Sequence, residues 1–122
     1  MKRITPLIFL LFFSISISMH SNVSSLEKNA LIKLYKSTNG NQWKIKWNLN
    51  APISSWYGVK LQNDKVIALD LSDNNLVGKL PDEITNLVNL QQLNFFKNEL
   101  SGNIPASIGT LKIVTIIEFS IQ

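Results

Sequence analysis

Residues 66–87 of the chain read VIALDLSDNNLVGKLPDEITNL, and residues 90–111 read LQQLNFFKNELSGNIPASIGTL. The two stretches are versions of one unit, because each matched position lies 24 residues after its counterpart. The same step predicts a third strand with apolar residues at positions 114, 117 and 119, where Val114, Ile117 and Phe119 stand. A fixed period of this length is typical of a repeat architecture, in which each unit packs on its neighbours.

The first half of the unit predicts a short β-strand and a turn. Leu69 and Leu71 alternate along the chain as the inward residues of a strand should. Asn74 and Asn98 follow the strands, where a side-chain amide can satisfy backbone groups that are exposed as the chain turns inward.

The second half of the unit predicts a tight turn and a helical turn. Gly78 and Gly102 permit backbone angles that other residues resist, and Pro81 and Pro105 suit the start of a short helical segment. Apolar residues three positions apart then return to the core. No unit can bury its apolar face alone, so the units are expected to stack into a solenoid.

The pattern Leu-x-x-Leu-x-Leu-x-x-Asn-x-Leu-x-Gly-x-Leu/Ile-Pro, read at 66–81 and 90–105, resembles the 24-residue leucine-rich repeats of plant receptor ectodomains and exported bacterial proteins. The resemblance covers the chain from about Leu26 to its end. It implies an α/β solenoid, a short right-handed superhelix with parallel β-strands on its concave face. Residues 66–122 would then hold two complete repeats and one partial repeat.

Residues 26–65 are predicted to form a helical, tryptophan-rich amino-terminal cap on the first repeat. Ser24 and Glu27 have the spacing of a capping box, and the helix should end at the Asn39-Gly40 stop signal. Lysines 28, 33 and 36 are predicted to face solvent. The apolar residues that recur at helical spacing, and are therefore predicted to be buried, are Leu26, Ala30, Leu31, Leu34 and Tyr35.

Four large aromatic residues, Trp43, Trp47, Trp56 and Tyr57, follow this helix. The preferred interpretation is a core that seals the end of the solenoid, and the alternative is a platform on which sugar rings stack. The run Trp56-Tyr-Gly-Val59 resembles the Trp-x-Gly-Val element of the plant-type cap, in which two cysteines commonly flank it. Ser54 and Leu61 occupy those positions here, and the run 30–43 is similar to the cysteine-free caps of exported bacterial repeat proteins.

Residues 1–25 have the features of a secretory signal peptide. Lys2 and Arg3 precede an apolar run at 7–17, which is shorter than the about 20 residues of a membrane span. Cleavage is expected between residues 18 and 25, after either Ser18 or Ser25. The sequence therefore predicts a protein that is secreted, or located at the cell surface or in the periplasm, without a stable membrane span.

Composition excludes several functions. Loss of Lys2 and Arg3 lowers the net charge from +4 to +2 and removes the single arginine, which argues against a nucleic-acid partner. The chain has no cysteine, and its one histidine, His20, lies in or just after the signal, so thiol and histidine chemistry is not expected. Asp82 and Glu83 are better explained by the first turn of a helix than by an acid/base role. We expect no enzymatic activity, no cofactor and no metal.

The predicted function is protein binding through the concave strand face, because a solenoid gathers its outward strand side chains there. Phe96 is a candidate anchor, although a lone exposed phenylalanine is also common on protein surfaces. A calcium site formed by Asp70, Asp73 and Glu118 is an alternative, but independent solvation of the three is preferred. The candidate partner-binding residues are Asp70, Ser72, Asp73, Gln92, Asn94, Phe96, Lys97 and Glu118.

The third unit reaches Gln122, which stands in register with Asn74 and Asn98. No carboxy-terminal cap follows in the sequence, so the last strand is expected to leave an open edge. Two alternatives to a self-sufficient module arise from this. The chain could be a truncated fragment of a larger repeat protein or receptor ectodomain, or it could self-associate through the open edge.

Overall fold

The computed structural model describes residues 23–102, residues 108 and 111, and the backbone of residues 115–121. The predicted signal peptide lies largely outside the described residues, as do Pro105 and Val114. Short 3-10 turns occur at Gly40–Gln42, Ile53–Ser55 and Asp82–Asn86. The helix and strands, in chain order, are α1 (Ser25–Ser37), β1 (Val59–Gln62), β2 (Lys65–Asp70), β3 (Val77–Gly78), β4 (Gln92–Leu100) and β5 (Thr115–Ile121).

The parallel strands confirm the predicted repeat register. Strand β2 pairs with β4 so that Ala68, Leu69 and Asp70 face the residues 24 positions later in the chain. Strand β4 also pairs in parallel with β5, and this pairing keeps the 24-residue step at Asn94 and Phe95. The register shifts on both sides of these two residues, because the partner of Leu93 is Ile116 and not Ile117, and Leu100 pairs with Ile121. The result is a solenoid-like sheet.

Two further strands join this sheet. Strand β1 pairs antiparallel with β2 as a hairpin. The two-residue strand β3 pairs with the last residues of β4. Gly78 in β3 has φ +126°, and a Cβ atom there would collide with the backbone oxygen of Ser37, so this position requires glycine.

Inward leucines of successive repeats form the core. Leu69 and Leu71 of the first repeat and Leu93 and Phe95 of the second are fully buried, as the alternation predicts. Ile84 and Leu87 return to the same core from the 3-10 turn. Burial of an apolar side chain of this size contributes roughly 1.5–3 kcal/mol, so the stacked rows are the main source of stability.

Asn98 links its own repeat to the preceding one through its buried side chain. Its Oδ1 atom accepts hydrogen bonds from the backbone N–H groups of Asn74 at 3.1 Å and Leu76 at 2.9 Å. Its Nδ2 atom donates to the backbone oxygens of Leu71 at 2.8 Å and Phe95 at 3.0 Å. One amide therefore satisfies backbone groups of both repeats, which confirms the predicted role.

Asn74 makes the corresponding bonds toward the segment that precedes the repeats. Its Oδ1 atom accepts the N–H of Ile45 at 2.8 Å, and its Nδ2 atom donates to the oxygen of Ile45 at 3.1 Å. The backbone at Ile45 thus takes the place of an earlier repeat. The pattern of asparagine hydrogen bonds therefore extends from the repeats into the segment before them.

Helix α1 is joined to the first repeat strand by a buried carboxylate. Ser24 caps the helix, because its Oγ atom accepts the N–H of Glu27 at 3.2 Å. The Oε1 atom of Glu27 accepts the N–H of Val66 at 3.0 Å, and the glutamate is buried. The prediction that Leu26 is buried was wrong: Leu26 is 58% exposed, because this bond turns the adjacent Glu27 toward the sheet. The lysines at 28, 33 and 36 are exposed, as predicted.

The three tryptophans pack together beside α1. The rings of Trp47 and Trp56 stack with centroids 4.9 Å apart, and Trp43 meets Trp47 edge-on at 4.9 Å. All three are buried, which agrees with the core interpretation. Tyr57 differs from that expectation, since it is 41% exposed where the chain leaves the cluster and enters β1.

Each indole N–H of this cluster donates to a backbone oxygen. Trp43 donates to Thr38 at 3.0 Å, Trp47 to Tyr57 at 2.8 Å and Trp56 to Asn48 at 2.9 Å. These bonds fix the irregular chain between α1 and β1. Because the rings are buried and their polar groups are used, none offers a face on which a sugar could stack.

We expect Asn98→Ala to lower the free energy of unfolding by roughly 2 kcal/mol or more, because two buried N–H groups lose their acceptor. Urea unfolding followed by the fluorescence of the buried tryptophans measures this. Asn89→Ala is the matched control, since Asn89 is exposed, and it should change stability by less than about 0.5 kcal/mol. Equal effects of the two substitutions would show that the asparagine bonds contribute nothing to stability.

Candidate functional site

The predicted binding residues lie on one face of the parallel strands, which we call the strand face. Asp70 of β2 pairs with Asn94 of β4, and Asn94 pairs with Glu118 of β5, so the three form a row across the sheet. Only the backbone position is described for Glu118. The other seven candidate residues are all exposed or partly exposed, as an interaction surface requires.

Asp70 and Asn94 also brace the chain where the strands end. Asp70 Oδ1 accepts the N–H of Ser72 at 3.2 Å and its hydroxyl at 2.9 Å. Asn94 Oδ1 accepts the N–H of Phe96 at 3.1 Å, which is the same bond one repeat later. Sequence reasoning missed this second role, although a short polar side chain two residues before a turn is a known signal for it.

Phe96 combines an exposed ring with a fixed backbone. Its side chain is 38% exposed. Its N–H is held by Asn94, and its oxygen accepts the N–H of Asp73 at 2.7 Å and a bond from Asn98 at 3.3 Å. Little conformational entropy remains to be lost when a partner packs on such a ring, which suits a binding anchor.

An ion pair lies beside this ring. Lys44 Nζ is 2.6 Å from Asp73 Oδ1, and both side chains are more than half exposed. The hydrogen bond from Lys44 and the attraction of its charge lower the pKa of Asp73, and the charge of Lys97 lowers it further. Asp73 is therefore ionised at neutral pH and is flanked by two lysines.

Sequence reasoning missed two lysines of this surface. Lys44 precedes the repeats, so the 24-residue step gives no indication that it reaches Asp73. Lys60 lies in β1, where it pairs with Ala68 across the hairpin and extends the row that contains Gln92. Antiparallel pairing with a strand outside the repeat period brings it there.

The two carboxylates of the strand face whose side chains are described both make bonds within the protein. Asp70 is bonded to Ser72, and Asp73 is bonded to Lys44. Among the described residues, no group of three histidine, cysteine, aspartate or glutamate side chains is placed to hold a metal ion. Asp82 and Glu83 lie exposed in the first turn of their 3-10 helix. No helix in the described part of the chain is both long enough and apolar enough to span a membrane.

Comparison with known proteins identifies relatives across most of the chain. The sequence profile of the Leucine Rich Repeat family matches residues 65–87 and 89–111. The leucine-rich repeat protein FLOR 1 of Arabidopsis thaliana is 34% identical over 107 residues, which cover 84% of this chain and 33% of that protein. Polygalacturonase inhibitor 2 of Arabidopsis thaliana is 31% identical over 99 residues, covering 77% of this chain and 30% of the inhibitor. This chain therefore spans about a third of the length of these relatives.

A solved structure agrees with the fold. The crystal structure of the BIR2 ectodomain from Arabidopsis thaliana superimposes with a TM-score of 0.62 at 28% sequence identity. The match covers 78% of this chain and 54% of that ectodomain. The solenoid-like arrangement of parallel strands is thus shared with a solved repeat protein.

We expect Lys44→Met to raise the pKa of Asp73 toward the ordinary carboxyl value, because the lysine hydrogen bond and charge are its main causes of depression. Carbon-detected NMR titration of the Asp73 carboxyl measures this shift. The ion pair favours the folded state above the ordinary carboxyl pKa, and its contribution is lost as the pH falls through the lowered pKa. Lys46→Met, which removes another exposed lysine, is the control. An unchanged Asp73 pKa in Lys44→Met would contradict the assignment.

Proposed function

Because this chain belongs to the leucine-rich repeat family, we propose that it is a non-enzymatic module that binds a protein partner through the strand face. The observation that carries this proposal is Phe96, an exposed aromatic ring whose backbone is held on both sides by hydrogen bonds. Polar side chains and the Lys44–Asp73 pair surround it. Aromatic anchors within a polar surrounding are typical of the residues that dominate binding energy.

The names of the relatives support a protein partner. Polygalacturonase inhibitor 2 is named for inhibition of an enzyme, and other relatives are receptor-like proteins, such as receptor-like kinase TMK4 of Arabidopsis thaliana. Those proteins are much longer than this chain, so their activities come to it only as a proposal. By the same reasoning we propose a location outside the cell or at its surface.

The division of the chain follows from the same proposal. Residues 26–65 would cap the solenoid, because α1 and the tryptophan cluster cover the first repeat strand through Glu27 and Ile45. Residues 66–122 would form the repeats of a right-handed superhelix with the strand face on its concave side.

Ser24 caps α1, so we propose cleavage of the signal after Ser18, which retains this cap, in preference to cleavage after Ser25.

We expect a photo-crosslinking amino acid placed at position 96 to capture a protein partner that the same group at position 26 does not capture. Leu26 is the matched control, because it is also an exposed apolar residue but lies in α1, outside the strand face. For a partner found in this way, Phe96→Ala should weaken binding about tenfold or more, the loss typical of an aromatic anchor, while Leu26→Ala leaves it unchanged. Isothermal titration calorimetry measures both.

The reverse result, with capture at position 26 and with Phe96→Ala binding the partner as tightly as the unsubstituted protein, would remove the strand face as the binding surface. Asn94→Asp provides a further check, because it keeps an oxygen that can accept the Phe96 N–H and replaces the amide NH2 with a negatively charged oxygen. A loss of affinity in Asn94→Asp with unchanged stability would assign a direct contact to this side chain.

A second candidate function is self-association through β5. Within the described part of the chain, β5 has a strand partner on one edge only, and that partner is β4. An open edge of this kind can pair with another strand. We expect multi-angle light scattering to show a mass that rises with protein concentration if a second copy covers this edge. A constant monomer mass over a hundredfold range of concentration would exclude it.

A further inference from the structure

A second concave surface lies at the opposite end of the strands from Phe96. A cleft of about 330 Å³ opens between the turn of the β1–β2 hairpin and the segment that leads into β4. This volume is near the lower end of the range for small-molecule sites, about 300–1,000 Å³. The cleft shares no residue with the strand face as defined above, so it is a separate candidate site.

The walls of the cleft are held in place. Pairing of β1 with β2 shifts register after Lys60, which leaves Ile67 as an extra, bulged residue of β2. The N–H of Gln91 donates to the oxygen of this bulged residue at 2.7 Å. The turn residues Asn63 and Asp64 both have positive φ, as a two-residue hairpin turn requires. A bulge at this place turns a side chain out of the regular strand alternation and into the cleft.

The lining combines three kinds of group. Four exposed amide side chains, those of Gln62, Asn63, Asn89 and Gln91, line the cleft. Each amide presents a donor and an acceptor side by side, which is the pattern that a peptide group needs. The charged lining group is the ammonium of Lys65, and none of the lining residues carries a carboxylate.

The apolar part of the lining is aliphatic. Ile67, Val88 and Leu90 supply it, and the side chain of Val88 is 62% exposed, so it is accessible to a ligand. No aromatic ring lines the cleft, so the usual platform for a sugar ring is missing. Aliphatic contacts beside amides and one cation fit a short peptide better than a sugar.

We propose that this cleft binds an extended peptide segment that presents an aliphatic side chain next to a carboxylate. The aliphatic side chain covers Val88, the peptide groups bond to the amides of Gln62 and Gln91, and the carboxylate pairs with Lys65. The carboxylate can belong to an acidic side chain or to a chain terminus, because the two share the same chemistry at the lysine.

The test uses three peptides and NMR signals of the side-chain amides of Gln62 and Gln91. The probes are acetyl-Gly-Leu-Asp-Gly-amide, its Asn counterpart, and acetyl-Gly-Leu with a free carboxyl terminus. We expect the Asp peptide to shift these signals with a dissociation constant on the order of 1 mM. It should bind about two- to fivefold more tightly than the Asn peptide, the preference expected of an exposed ion pair. If the free-terminus peptide also binds about two- to fivefold more tightly than the Asn peptide, the carboxylate would be assigned to a chain end.

Lys65→Met should abolish the preference for the Asp peptide over the Asn peptide. Lys33→Met is the matched control, because Lys33 is an exposed lysine of α1 outside both the cleft and the strand face, and it should retain the preference. Replacing leucine by serine in the Asp peptide should weaken binding, since the aliphatic contact with Val88 is lost.

The proposal would be overturned by unshifted amide signals of Gln62 and Gln91, by an Asp preference that survives Lys65→Met, or by shifts caused by a uronic-acid dimer but not by the peptides. Shifts confined to Phe96 and Asn94 would also overturn it, but would support protein binding at the strand face. Failure of the cleft and failure of the strand face are therefore distinguishable.

Discussion

The structure depends on the requirement that backbone groups buried at the inward turn of each repeat be hydrogen-bonded. Asn98 meets it with one side chain, which accepts from Asn74 and Leu76 and donates to Leu71 and Phe95. A leucine at this position would pack as well, but would leave those groups unpaired at a cost of about 1–3 kcal/mol each. The same bonds join neighbouring repeats at the turn, beside the parallel backbone pairing of β2 with β4.

Where α1 and the following segment meet the first repeat, the backbone groups are again hydrogen-bonded, but the partners come from outside the repeats. Asn74 has no earlier repeat to bond, and the backbone of Ile45 replaces it. The N–H of Val66, the second residue of β2, donates to the carboxylate of Glu27, although the two residues are 39 positions apart. In both cases, a polar group from outside the repeats supplies the hydrogen-bond partner that an earlier repeat would otherwise supply. This explains why a glutamate, and not the adjacent Leu26, faces the sheet.

Much of this fold could be predicted because its main features recur every 24 residues in the sequence. The 24-residue register, the inward leucines, the asparagine bonds and the positive φ of Gly78 all repeat, and two copies in one sequence make the pattern visible. Features without that period could not be found in this way. The exposure of Leu26 and Tyr57, the pairing of Lys44 with Asp73 and the bulge at Ile67 each depend on contacts between the first 65 residues and the repeats. The outward residues Asp70 and Asn94 were located correctly, but their bonds to the following turn depend on side-chain geometry that register does not specify.

The asparagine bonds also bear on how the length of such a chain can change during evolution. A duplicated stretch of 24 residues adds one more asparagine, with the same neighbours on each side, and leaves every existing bond intact. A single inserted residue between Leu71 and Asn74 would displace these two residues relative to each other, so the Asn98 amide could no longer bond the backbone of both. Gene duplication in whole units is therefore tolerated, whereas small insertions are confined to exposed segments such as the Asn63–Asp64 turn.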